Sequence, residues 1–348
     1  MVSIAKGTWW RQIRRTVATE IFNAVASASD WWVLVGQDGS GNPIAWRILK
    51  SSATGYPIFY SGQPTGSVPL NDVDFLSNES IVFAVGDTGR IYESSNLGQS
   101  WTNYGLSPAN DIDGVVCVAA DPNSNVIAVG NGAIWGRDTL KTFTTRWTGS
   151  QQWKSVAYRP GAGWVVVGNS GWVTQSPSGI NGTFIAPYQI TTQNFKRIRT
   201  NDTYFMAVGS FGDVWRSPTG LPGSWLKLDL GTSDVFFVGT ALYYATAGWV
   251  AATYDGEFWY TSNNGDSWTK GDFVFPDAVR NCDAVFESAL MVGDYGTAYV
   301  SFDDSQTDYV EPDDITGQGE VGPAFSENND MAGDAVRRLV TQFRSGRG

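Results

Sequence analysis

The sequence predicts an all-β chain: a seven-bladed β-propeller closed by an N-terminal strand, with a short C-terminal helical tail. Three observations predict it: 40 glycines and 16 tryptophans in 348 residues, a glycine-centred unit found seven times, and a spacing of about 43 residues between copies. Four short strands per ~40–45 residues is the length of one propeller blade. Hydrophobic residues make up 42% of the chain, enough for a core and too many for global disorder. The glycines follow no three-residue period, which excludes a collagen-like chain.

Each unit is an apolar run, then Gly-x-x-Gly, then an aromatic or β-branched pair. The copies run Val33-Leu34-Val35-Gly36 to Gly39, Phe83-Ala84-Val85-Gly86 to Gly89, and Ile127-Ala128-Val129-Gly130 to Gly132, the last being one residue short. Val165-Val166-Val167-Gly168 to Gly171 and Met206-Ala207-Val208-Gly209 to Gly212 follow. The sixth copy has Thr253 in place of its first glycine but keeps Gly256, and the seventh is Leu290-Met291-Val292-Gly293 to Gly296. The second glycines are 50, 43, 39, 41, 44 and 40 residues apart.

The apolar run suits a strand buried on both faces, and the glycines suit a tight hairpin with positive φ. Ile91-Tyr92, Ile134-Trp135, Trp172-Val173, Val214-Trp215, Phe258-Trp259 and Ala298-Tyr299 read as the next strand. Val73-Asp74-Phe75, Val115 to Val118, Val156-Ala157-Tyr158 and Val235 to Val238 read as a strand before the unit. Gly7 to Ile13 reads as an outer strand with no blade before it, which pairs with the last blade and closes the ring.

A second motif follows the third strand. Ser94-Ser95-Asn96-Leu97-Gly98-Gln99-Ser100-Trp101 and Thr261-Ser262-Asn263-Asn264-Gly265-Asp266-Ser267-Trp268 fit Ser/Thr-x-Asp/Asn-x-Gly-x-x-Trp. Gly136 to Phe143 is a degenerate copy, and Ser176 to Phe184 and Ser217 to Trp225 are lengthened ones. This motif is similar to the Asp-box, or BNR, repeat of sialidase-like and photosystem-assembly-factor-like propellers. The resemblance implies that the Asp/Asn side chain caps a hairpin turn and the aromatic packs between strands.

The chain divides into a propeller at 1–310, an acidic linker at 311–330 and an amphipathic helical tail at 331–348. In the tail, Val336, Leu339, Val340 and Phe343 fall at i, i+3, i+4 and i+7 and form one apolar stripe, the candidate partner-docking residues. So short a helix is marginal alone in water and needs a surface to pack on.

No catalytic, cofactor-binding or metal-ligating residue is expected. The chain has no histidine, which removes Ser-His and Cys-His catalysis and nearly every zinc site. Cys117 and Cys282 sit in apolar runs and read as buried, inert thiols. A sialidase-like site would need an Arg-Ile-Pro signature, and the nearest match, Arg47-Ile48-Leu49, lacks the proline. The clusters Asp111-Ile112-Asp113 and Asp303-Asp304, and the cationic Arg11, Arg14 and Arg15, read as solvated loop and edge charges. The segment from Ser61 to Leu70 is the longest insertion and the one unusual surface element.

The formal charge is −11, from 34 acids and 23 bases, which opposes general binding to nucleic-acid phosphates. The N-terminus lacks the pattern of a secretion signal, and no run approaches ~18 apolar residues. The expectation is a non-enzymatic structural or interaction scaffold without cofactors. Its architecture resembles the hub and nozzle propellers of tailed-phage virions. That resemblance implies a virion tail component assembled in the host cytoplasm, with other virion or assembly subunits and a homo-oligomeric ring as partners, and neither membrane nor sequence-specific nucleic acid. The alternatives are a glycan- or protein-binding propeller, a sialidase-like glycosidase and a photosystem assembly factor.

Overall fold

A computed structural model describes residues 9–14, 19–28, 30–49, 58–76, 81–106, 110–118, 125–137, 142–201, 203–230, 232, 236–242, 248–272, 274–285 and 288–302. The linker and the tail, with Val336, Leu339, Val340 and Phe343, lie outside the described residues, as does Asp303-Asp304.

The chain opens with β1 (Trp9–Arg14). Then β2 (Ile21–Ser27), β3 (Trp31–Gln37), β4 (Pro43–Leu49) and β5 (Ile58–Ser61) form a four-stranded antiparallel sheet in chain order. A second contains β6 (Leu70–Phe75), β7 (Val82–Gly86), β8 (Arg90–Ser94) and β9 (Thr102–Asn103). A six-stranded sheet follows: β10 (Ile112–Cys117), β11 (Val126–Arg137), β12 (Phe143–Arg159), β13 (Gly163–Gly168), β14 (Trp172–Ser176) and β15 (Tyr188–Gln189). Next come β16 (Phe195–Thr200), β17 (Phe205–Gly209), β18 (Val214–Ser217) and β19 (Leu226–Leu228). The fifth sheet has β20 (Phe236–Leu242), β21 (Gly248–Thr253), β22 (Phe258–Thr261) and β23 (Thr269–Lys270). The last has β24 (Val279–Val285), β25 (Ser288–Gly293) and β26 (Ala298–Phe302), with β1 as its fourth strand. Trp9 stands opposite Phe302 and Arg11 opposite Val300, so the N-terminal strand pairs with the final hairpin as the closing-strand reading expects.

Within β11 the chain reverses at Gly130-Asn131-Gly132. The Cβ direction of Gly136 lies 3.1 Å from Ile127 Cδ1, whereas nine residues of straight strand would separate them by about 30 Å. Along β12 the partner changes: Phe143 to Gln152 pair with β11, and Trp153 to Arg159 pair with β13.

The sheets stand side by side, and apolar clusters fill the spaces between them. On β7, Val82 and Ala84 pack toward β2–β4 while Phe83 and Val85 pack toward β10 and β11. Alternation of this kind buries both faces of the strand, as period-2 side chains demand. The same division continues through Ile127 and Trp153, Val165 and Phe195, Met206 and Trp249, and Val250 and Val279. It returns to the start through Leu290 and Val292 packed on Phe22 and Leu34. The first strands touch in the same circular order, β2, β6, β10, β12, β16, β20, β24 and back to β2.

The two glycines of each turn have different jobs. Gly86 is extended, at φ −161°, so positive φ is not its reason. A Cβ there would lie 2.1 Å from the Pro69 carbonyl, where the chain enters the preceding strand β6. The second glycine does take positive φ, and so does the residue before it: Thr88 at 55° and Gly89 at 73°. The Arg90 N–H closes this turn onto the Asp87 carbonyl. Two successive positive φ values are the requirement of a type I′ hairpin.

The second motif forms matching turns. Ser94 Oγ accepts from Gly98 N–H at 2.8 Å, Asn96 Oδ1 accepts from Ser100 N–H at 2.9 Å, and Trp101 Nε1 donates to the Gly62 carbonyl at 2.9 Å. Thr261 and Asn263 repeat the first two contacts with Gly265 and Ser267. In the lengthened copies, Ser176 and Ser217 accept from Gly179 and Gly220, both at 2.8 Å. The Ser61 to Leu70 insertion is a tied connection: Gln63 accepts from Ala45 N–H at 3.0 Å, and Tyr92 donates to the Thr65 carbonyl at 2.8 Å.

Candidate functional site

Opposite the first glycine of each turn, or Thr253 in the sixth, the register slips by one residue and inserts a bulge into the first strand. A bulge re-aims a side chain. Six of these seven extra residues are polar, Asn23, Asn71, Asp113, Lys154, Lys196 and Arg280, and the seventh is Phe237. Asn23 Nδ2 donates to the Leu70 carbonyl at 2.8 Å and Asn71 Nδ2 to the Ile112 carbonyl at 3.0 Å, each stitching one first strand to the next. Lys154 Nζ meets Asp113 Oδ1 at 2.8 Å.

Beyond this ring lie charges buried among the first strands. Arg197 on β16 pairs with Asp72 on β6 at 2.7 Å, with side chains 6% and 1% exposed. The strands β10 and β12 stand between β6 and β16 in the circular order, so this pair crosses the interior of the ring. Asp72 Oδ2 also accepts from Val115 N–H at 3.0 Å. One layer on, Asp74 accepts from Cys117 N–H at 2.7 Å. Burial pushes its carboxyl up to about 7, against the pull of the Cys117 amide and Arg199.

The second feature lies at the turns. In Ser210-Phe211-Gly212-Asp213, both central residues have positive φ, 58° and 70°, and Asp213 N–H donates to the Ser210 carbonyl. Asp294-Tyr295-Gly296-Thr297 repeats it at 57° and 61°. The equivalent positions elsewhere are Thr88 and Ser170. Phe211 is 65% and Tyr295 52% exposed. Between them, at the β21–β22 turn, Tyr254 is also exposed, and its hydroxyl donates to Asp294 Oδ2 at 3.2 Å. Arg280 pairs with Asp294, and its guanidinium lies 5.8 Å from the centre of the Tyr254 ring. The neighbouring carboxylate raises the Tyr254 phenol, with burial adding to it.

The other residues singled out in the sequence fall elsewhere. Cys117 and Cys282 are buried free thiols, and burial pushes both well above the usual thiol range. Arg47 lies on β4 with its guanidinium 5.0 Å from the Trp31 ring, away from the first strands. Asp111 accepts from Thr88 N–H at 3.0 Å. The side chains of Arg11, Arg14 and Arg15 lie outside the described set. No group of three or more His, Cys, Asp or Glu side chains among the described residues could hold a metal ion. A shallow surface cavity of about 320 Å³ lies between Tyr158, Gln175, Pro177 and Leu221, with no carboxylate or cation in its lining.

Neither the Asp72–Arg197 pair nor the aromatic turns follow from the repeat itself. Their signals are departures from it: charges in strands that are otherwise apolar (Asp72, Asp74, Arg197, Arg199, Asp283), and Phe or Tyr where sister turns carry Thr or Ser.

No family model matches the chain, and no curated protein matches it. Solved structures do. A structure of YCF48 bound to D1 peptide aligns with a TM-score of 0.66 at 15% identity, covering 87% of this chain and 100% of that one. The WD40 β-propeller domain of Doa1 aligns with a TM-score of 0.66 at 12% identity, covering 85% of this chain and 97% of that one. With the circular order of its sheets and these two likenesses, the chain has the β-propeller fold.

Proposed function

We propose that this chain is a protein-interaction propeller, a non-enzymatic scaffold that holds a polypeptide partner on the end of the ring formed by the Gly-x-x-Gly turns. One observation carries the reading. Phe211 and Tyr295 occupy left-handed backbone positions at 58° and 57°, where Asn or Gly would sit without strain. Strain of this kind persists where it serves a use, and both rings it holds out are more than half exposed. The YCF48 structure, which holds a D1 peptide, supports a peptide or protein as the partner class.

Selection of displayed random 12-residue peptides on the immobilised chain tests this. Sequences enriched on the parent and lost on the F211S/Y295S double variant support it. Binders indifferent to that variant, or no binders at all, overturn it.

We also read the six-stranded sheet as two blades, which gives seven. One is residues 112–117, 126–130, 133–137 and 143–148, and the other begins at Trp153. The reversal inside β11 and the change of partner along β12 support this count. For the setting we propose the tail hub or nozzle ring of a virion, with other virion or assembly subunits and further copies of the chain as partners. The net charge of −11 supports it, because a conduit lined by such subunits repels DNA.

A further inference from the structure

We infer that the face carrying Phe211, Tyr254, Val274 and Tyr295 takes a basic polypeptide segment, its Lys or Arg side chains stacking on the rings and pairing with Asp255 and Asp272. This rests on the protein-interaction reading and names the chemistry of the partner.

Three neighbouring sheets contribute to this face. Tyr254 reaches Asp294, the residue next to Tyr295. Phe275 N–H donates to the Gly256 carbonyl at 2.8 Å, so the segment leading into β24 runs along the Tyr254 turn. Val274 beside it is 52% exposed. Phe211 stands on the corresponding turn of the adjacent sheet.

Charge decides the partner. Cations around this face are taken: Arg280 by Asp294, Lys227 by Asp213 at 2.7 Å, and Lys270 by Glu257 at 2.6 Å. Asp255 and Asp272 are exposed carboxylates without a partner among the described residues. The face therefore keeps two uncompensated negative charges beside three aromatic rings. Cations are attracted both to ring faces and to carboxylates, and Arg280 over Tyr254 already uses the first attraction. The chain's overall charge of −11 steers cationic segments toward it and anionic ones away.

The test uses three fluorescein-labelled 12-residue peptides, each with two Tyr and two Leu and with four Arg, four Glu or four Ser. Binding is read by fluorescence anisotropy on the full chain. The Arg peptide binds at least tenfold more tightly than the Ser peptide, and the Glu peptide does not bind. The D255N/D272N variant weakens the Arg peptide at least fivefold, and F211S/Y295S at least tenfold. Asp30→Asn, an exposed carboxylate on the β2–β3 turn at the other end of the sheets, changes it by less than twofold, which separates a site from general attraction to an acidic protein. Equal loss in D30N and D255N/D272N overturns the inference. So does tighter binding of the Ser or Glu peptide; if that binding is still lost in F211S/Y295S, the charge assignment has failed while the protein-docking reading stands. Binding of none of the three, with a soluble oligosaccharide such as chitohexaose bound instead, overturns both.

Discussion

Asp72 and Arg197 lie 125 residues apart in the chain and meet through a 2.7 Å ion pair across the interior of the ring. Neither belongs to a neighbour of the other's sheet, so the contact exists only once the intervening strands are in place. It reports the closed ring rather than any single blade. Removing one partner leaves a buried charge unmatched, at a cost of about 3–5 kcal/mol, whereas replacing both with apolar residues is often near neutral. Asp72→Ala should therefore lower stability by about 4 kcal/mol, and the D72L/R197M double variant by well under half of that. Urea unfolding followed by tryptophan fluorescence checks it. Equal losses in the two variants would show that the charges matter only through their volume.

The turn glycines make a second comparison. A Cβ at Gly293 would lie 1.8 Å from the Ala278 carbonyl, and backbone on both sides fixes that distance. Gly41 has open space around it but φ of +81°. Gly41→Ala should cost about 1 kcal/mol, from backbone strain alone. Gly293→Ala should exceed about 4 kcal/mol, because the hairpin must move off the bulge. A similar loss at both positions would mean that the hairpin takes up the added Cβ at Gly293 without moving off the bulge.

How much of this could be read in the sequence follows from the range of each interaction. Gly86 and Gly89 are demanded by local backbone geometry, so the demand recurs along the chain, with Thr253 the exception at the first position, and the repeat is visible. Ser94, Asn96 and Gly98 close a turn among themselves and are equally legible. Asn71, Asp72 and Asp74 are different. Their partners are the Ile112 carbonyl, Val115 N–H, Arg197 and Cys117 N–H, on strands whose positions only the folded ring supplies. Asp111-Ile112-Asp113, read as solvated charge, divides: Asp111 is exposed and accepts from the Thr88 amide, whereas Asp113 sits on β10 and is ion-paired with Lys154. The role of the first glycine was legible in identity but not in cause, since a close approach and a positive φ both exclude side chains.

The strained aromatics separate stability from function. A bulky residue in the left-handed region costs about 1–2 kcal/mol, and Asn tolerates that region. Phe211→Asn and Tyr295→Asn should each raise stability by about 0.5–1 kcal/mol, while weakening peptide binding. Thermal melts and anisotropy on the same samples read both effects. A loss of stability would mean that the rings pack usefully on the fold.

Asp74 gives stability a pH dependence of definite sign. Its folded carboxyl is raised to about 7, chiefly by burial, while in the unfolded chain it ionises near ~4. Its contribution is therefore fully present below pH ~4 and is lost as pH rises through about 7, because the unfolded state gives up the proton first. Asp113 is raised in the same direction by burial, with Lys154 opposing. Relative to the parent, Asp74→Asn should gain stability steadily from pH 4.5 to 7.5 in urea titrations. A difference that stays constant over this window would place the Asp74 carboxyl at its ordinary value.

Self-association is the prediction on which the virion-ring proposal depends. Val336, Leu339, Val340 and Phe343 repeat at helical spacing, and Arg337, Arg338 and Arg344 occupy the other positions. A stripe of four apolar residues on so short a segment gains little by itself in water, so its use is to bury against something. If that something is a further copy of the chain, the full-length protein has a defined multiple of 37.8 kDa by light scattering. Truncation after Asp330, or the L339S/F343S double variant, should then reduce it to a single-chain mass with unchanged thermal stability. Dissociation accompanied by a loss of stability would instead assign the stripe to the chain's own packing. A single-chain mass in the full-length protein would remove the homo-oligomer, and with it the physical basis for a ring built from this subunit alone.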